Sequence, residues 1–286
     1  MAEIIDKSGT WIFDGDGVRI VPGHDRGVSL LRRTLGEIGI PLGALAGISY
    51  APGKKSGLLK LRLREGADPL LTVARGRLDD DSDPYRLTVS PERAGVAEYF
   101  VDEVRNALLL EGIDDGPASS YLLPGPSVPL SVGAGDGTVA FDGEQIRLEW
   151  NWKTDDTKAS AGPQVLDLAE VTAVEWLPAT GLENGYLRFR VAQARPPAAP
   201  KYDPLSVELW GFRKDPLMAL VGAAVLVRLR QLPVPRAALL PPEPAAVADD
   251  HDVLLRRLRE LGELHHAGIL TDDEFAAAKQ AVLKRM

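Results

Sequence analysis

The sequence predicts a mainly β, α+β fold. It has two tandem copies of one small domain, each a strand-built barrel closed by a C-terminal helix, followed by a tethered α-helical hairpin. Three observations predict this. A phrase recurs, FDGDGVRI at residues 13–20 and FDGEQIRL at 141–148; apolar and polar residues alternate in short runs in both halves; and a proline-rich stretch separates the second half from a leucine-striped tail.

The recurrence extends well beyond the quoted phrase. Copy one continues through IGIPLGALAGISYAP (38–52), GLLKLRLR (57–64) and DPYRLTVS (83–90). Copy two continues through QVLDLAEVTAVEWLP (164–178), GYLRFRV (185–191) and DPLSVELW (203–210). Leu42, Leu45, Ile48, Tyr50 and Pro52 fall on Leu168, Val171, Val174, Trp176 and Pro178. The order is kept and gaps differ only between elements, where loops absorb insertions. This is the pattern of a duplicated domain.

Each element has a local reason. Phe-Asp-Gly is a turn signal that feeds an alternating strand. In residues 60–64, Leu61 and Leu63 share one strand face and Lys60, Arg62 and Arg64 the other. Copy one closes with AGVAEYFVDEVRNALLL (94–110), where Val96, Phe100, Val104 and Leu108 recur at helical spacing. Copy two closes with DPLMALVGAAVLVRLRQL (215–232). Its apolar run from Leu217 to Val227 is about half of the roughly 20 residues a membrane-crossing helix needs, so it reads as a buried helix.

The expected boundaries are a first domain over 1–121, a Pro/Gly linker over 122–136, and a second domain over 137–231. A semi-extended Pro/Ala-rich tether over 232–250 and a hairpin over 251–286 follow. In the hairpin, Leu254, Leu258 and Leu261 make one helical stripe and Gly268 stops the first helix. Thr271 to Glu274 is a capping box opening a second helix that carries Phe275 and Val282 inward. Two such short helices hold too little core to stand alone, so they are expected to dock on something.

Antiparallel strands capped by a helix resemble the pleckstrin-homology (PH-like) fold. Gly268 to Leu283, with Gly-Ile-Leu-Thr, an acidic pair, Glu-Phe and Ala-x-Lys, resembles the short C-terminal (SHOCT) domain. The whole chain resembles an actinobacterial domain-of-unknown-function family with two tandem PH-like domains ahead of a SHOCT tail. The runs carrying that resemblance are WIFDGDGVRIVPG (11–23), EYFVDEVRNALLL (98–110), ENGYLRFRV (183–191) and ELWGFRKDPLMALV (208–221). The resemblance implies interaction and assembly, and transfers no catalytic residue.

Charge and motif searches point the same way. A net charge of −8 disfavours a nucleic-acid partner, and the absence of cysteine removes disulfides and thiolate chemistry. The first residues, MAEIIDKSGTWIFDG, are acidic where a secretory signal begins basic, so a cytoplasmic protein is expected, at most peripheral to the membrane. GKKSG (53–57) lacks phosphate-loop spacing, and DDDSDP (79–84) lacks the glycine and glutamate of a calcium loop. They read as a strand-joining turn and an acidic surface loop. The histidines, His24, His251, His265 and His266, leave the middle of the chain empty.

No catalytic residue, cofactor or metal is therefore assigned. The expectation is a non-enzymatic interaction protein whose tail, through Leu254, Leu258, Leu261, Phe275 and Val282, mediates self-association or docking to a protein partner. Two further surfaces are candidates. Arg26, Arg32, Arg33, Lys54 and Lys55 in copy one form either an anion or lipid patch or a plain solvated face. Trp150, Trp152 and Trp210 in copy two are either core or interface anchors, with Trp150 and Trp152 expected on one strand face.

Overall fold

The recurring Phe-Asp-Gly phrase makes the same turn twice. In the computed structural model, which describes residues 1–192 and 198–231, Asp14 Oδ1 accepts the amides of Asp16 and Gly17 at 3.1 and 3.0 Å. Asp142 Oδ1 accepts those of Glu144 and Gln145 at 2.9 and 2.7 Å. The carboxylate stands in for a backbone acceptor and fixes the bend. Gly15 and Gly143, at φ 110° and 116°, take the conformation a side chain would strain. Phe13 and Phe141 end the preceding strands, and both are buried.

Copy one begins with an antiparallel meander of β1 (Ala2–Asp6), β2 (Gly9–Phe13), β3 (Gly17–Pro22) and β4 (Ile38–Pro41), with helix α1 (Leu30–Leu35) between β3 and β4. A second meander follows, β5 (Leu45–Ala51), β6 (Gly57–Leu63) and β7 (Arg86–Val89), with α2 (Pro69–Ala74) inserted before β7. The closing helix is α3 (Ala94–Leu110).

Copy two repeats the order. Its first meander is β8 (Leu130–Ala134), β9 (Gly137–Phe141), β10 (Gln145–Trp150) and β11 (Gln164–Asp167), with α4 (Asp156–Ala159) between the last two. Then come β12 (Val171–Leu177), β13 (Gly185–Val191), β14 (Ser206–Leu209) and the closing helix α5 (Leu217–Leu229). Even the irregularities coincide: pairing slips between Leu45 and Gly47 in β5 and between Val171 and Ala173 in β12.

The mainly β, α+β class and the duplication hold, with two corrections. Strand pairing does not close the expected barrels; each copy has separate four- and three-stranded sheets among the described residues. In copy one, side chains span the corner where a ladder would run. Ser8 Oγ donates to the Thr88 carbonyl at 3.2 Å, and the amide and hydroxyl of Ser90 donate to Asp6 Oδ2 at 2.7 and 2.8 Å. Secondly, the stretch expected as linker, 122–136, contains β8, so copy two starts before residue 137. Prolines just upstream mask an alternation in which Val132 is buried.

Copy one has its own apolar core, against which α3 lays Ala97, Phe100, Val101 and Val104. Trp11 and Phe13 meet Phe100 there, with ring centroids 6.4 and 6.5 Å apart. The core of copy two is not its own alone. Leu31 of α1 and Leu70, Val73 and Ala74 of α2 belong to it, packed on α5. Gly222 permits the approach: a Cβ there would stand 3.0 Å from Val73 Cγ1 and 3.4 Å from Leu187 Cδ1. Residues Met1–Leu232 thus form one compact unit. No helix among the described residues is long and apolar enough to cross a membrane. The tether and hairpin, with Leu254, Leu258, Leu261, Phe275 and Val282, lie outside the described residues.

Candidate functional site

Each copy ties one end together with a buried cation in the helix between its third and fourth strands. Ser29 and Asp155 cap α1 and α4. Three residues beyond each cap stands the cation, Arg32 or Lys158, on the inward side of the first turn. Arg32 Nη2 donates to the Ser8 carbonyl at 3.1 Å. Lys158 Nζ donates to Asp136 Oδ2 at 2.6 Å and to the Pro200 carbonyl at 3.1 Å, with the Trp150 ring 4.6 Å away. Ser8 and Asp136 occupy the same place in the first hairpin, so the device is shared and its chemistry has diverged.

Burial governs the ionisation of these groups. It lowers the pKa of Arg32, and the charges of Asp83 and Asp81 oppose that. It lowers Lys158 and raises Asp136, while their mutual hydrogen bond and charge pull both back towards the ion pair. Asp136 Oδ1 also accepts the Glu208 amide at 2.8 Å, joining the hairpin to β14. Nearby, Arg188 Nε lies 2.8 Å from Asp203 Oδ2. These groups are committed to one another and brace the fold.

The loops around the braces differ sharply. In copy one they surround an open cleft of about 610 Å³, lined by Lys7, Asp25, Lys55, Ser90 and Arg93 among others. In copy two the same end carries rings. Trp152, Trp210 and Phe212 surround the Lys153 ammonium, which stands 5.4, 5.2 and 5.5 Å from their centroids. Trp210 and Phe212 meet edge to face at 84° and 6.1 Å. Trp152 is 89% exposed and Phe212 57%. Asp215 shapes the loop bearing Phe212: its Oδ2 accepts the amides of Gly211 and Phe212 at 2.7 and 3.0 Å.

The residues singled out from sequence scatter accordingly. Arg26 and Arg33 line a pocket at the seam between the copies, together with Asp79, Asp81, Phe212 and Arg213. Arg32 points inward, away from them. Lys54 is exposed beside Lys55 in the β5–β6 turn, where GKKSG was expected to make a turn. Trp150 packs inward and donates Nε1–H to the Gly162 carbonyl at 2.8 Å. It does not share a strand face with Trp152, because β10 ends at Trp150. Trp152 and Trp210 do come together. Lys153 and Phe212 were missed; the spacing Trp210-Gly211-Phe212 is the one hint the sequence offers. Among the described residues, no group of acidic or histidine side chains is placed to hold a metal.

A family model described as a domain of unknown function, DUF4429, matches the chain over residues 11–105 and again over 139–226. The two matches start at equivalent places, the third residues of β2 and β9. No curated protein matches the chain.

Proposed function

The chain belongs to the DUF4429 family, and from that premise we propose a non-enzymatic cytoplasmic interaction protein: two PH-like domains present binding surfaces and a SHOCT-like tail assembles them. The order of seven described strands and a closing helix in each copy supports the PH-like reading. The observation that carries the functional reading is the cluster of exposed Trp152 and Phe212 with half-buried Trp210. Rings of this size left in water on an otherwise well-packed body are the side chains that anchor partners. The leucine stripe of residues 251–286 supplies the assembling element, since so short a hairpin needs a second apolar surface to be stable.

Light scattering on the full chain, on residues 1–232, and on a Leu258→Asp/Leu261→Asp variant tests the assembly. We expect the full chain to have oligomeric mass and the other two to be monomers, with the main thermal transition unchanged. Equal mass in all three overturns it. A second reading, a peripheral membrane module, rests on Lys7, Lys55 and Arg93 around the cleft of copy one, where Asp6, Asp25 and Glu92 balance their charge. Cations so placed attract anionic headgroups. Salt-sensitive binding to phosphatidylserine vesicles supports that reading, and no binding at low salt removes it.

A further inference from the structure

We propose that Trp152, Trp210 and Phe212 form an aromatic cage for a methylated ammonium group, and that Lys153 occupies it as a resident stand-in. This rests on the reading of the cluster as an interaction surface and names what it recognises.

The geometry is that of a cation site. Ring faces attract a cation within about 6 Å of their centroids, and quaternary ammonium ligands are taken by sets of such rings. Here three rings converge on one nitrogen at 5.2 to 5.5 Å, two of them perpendicular walls. The Glu208 carboxylate accepts the Trp210 indole N–H at 3.2 Å, which adds negative charge behind that wall. Glu208 is itself held by Asn184 Nδ2 at 3.1 Å. The loop bearing Phe212 is fixed by Asp215.

Copy one supplies an internal control. Counting from the matched ends of β3 and β10, and of β7 and β14, the places of Trp152, Lys153, Trp210 and Phe212 are held by His24, Asp25, Ser90 and Glu92. All three benzenoid rings and the cation are absent together, so the four side chains behave as a set. Lysine is a weak occupant because its ammonium is strongly hydrated; methylation removes hydrogen-bond donors and lowers that hydration while keeping the charge. The seated group is a lysine side chain, which favours a methylated lysine of a partner protein over a free choline or a lipid headgroup.

Tryptophan fluorescence of the full chain, titrated with tetramethylammonium chloride against sodium chloride at matched ionic strength, tests the cage. We expect a saturable response to tetramethylammonium alone. Removing the competitor in Lys153→Ala should tighten it about two- to fivefold, and Phe212→Ala or Trp152→Ala should weaken it by a similar factor. Exposed positions keep these variants folded, which an unchanged melting curve verifies. No saturable difference between the two salts in wild type and Lys153→Ala, or weaker binding in Lys153→Ala, overturns the cage. Trimethyllysine binding where lysine does not bind supports the side-chain source; retention on phosphatidylcholine vesicles without trimethyllysine binding overturns that source. Oligomeric mass is read separately, so a failed titration beside tail-dependent mass sinks the cage and leaves the assembly reading standing.

Discussion

Helices α3 and α5 close the two copies at the same place in the repeat, yet they have opposite surfaces. α3 buries one face and leaves Tyr99, Leu109 and Leu110 in water. α5 buries ten of its thirteen residues. The strands beneath them are alike, so the difference comes from what lies above. In copy two, α2 and α1 of copy one cover the outer face of α5. A helix's hydropathy therefore reports how many of its faces are covered, and an all-apolar closing helix signals a second neighbour. The duplicates have become unequal partners: one lends its inserted helix and the other receives it.

The largest expected effect separates the two bracing cations. Lys158→Ala leaves Asp136 buried without its partner and should cost about 3–5 kcal/mol. Arg32→Ala loses a bond to a backbone carbonyl and should cost about 1–3 kcal/mol. Urea denaturation measures both, and equal losses would show that the copies are braced alike after all. Next comes the seam. Gly222→Leu pushes a side chain against Val73 and should cost about 1–3 kcal/mol. In α3, Gly95 faces open space, so Gly95→Ala should stabilise by about 0.5–1 kcal/mol. If Gly222→Leu were neutral in thermal melts, the contact with α2 would not be tight.

The smallest effect concerns the corner of copy one. Asp6 sits below its ordinary pKa of 3.8; burial opposes ionisation, but the Ser90 amide and hydroxyl and the Lys7 amide outweigh it. A depressed carboxylate contributes stability that is fully present above its unfolded value and lost as pH falls through the folded one. Asp6→Asn should therefore melt lower than wild type near neutrality, with the gap shrinking as the pH drops below 3.8. A gap independent of pH would mean that the carboxylate's charge contributes nothing.

The duplication was legible because a turn constrains its residues: Asp14 and Asp142 must accept amides and Gly15 and Gly143 must take positive φ, so the phrase is spelled the same in both copies. The burial of α5 was legible from its apolar run, but its cover was not, since α2 lies in the segment between β6 and β7, which is longer than its counterpart between β13 and β14. Arg32 reads as one more surface arginine beside Arg33; only the cap at Ser29, matched by Asp155 ahead of Lys158, marks the inward position. Trp152 and Trp210 stand out in the sequence as aromatic anchors, but their meeting with Lys153 and Phe212 does not, because the rings come from separate loops and closeness across loops leaves no spacing in the chain.

The helix lent across the seam also sets a timetable for synthesis. α2 is complete when Ala74 leaves the ribosome, but its cover, α5, begins only at Leu217. At about 5–20 residues per second, the apolar side of α2, with Leu70 and Val73, waits on the order of ten seconds for its partner. The nascent chain carries an unfinished surface throughout that interval. The outer side of copy one is thus completed only when copy two closes.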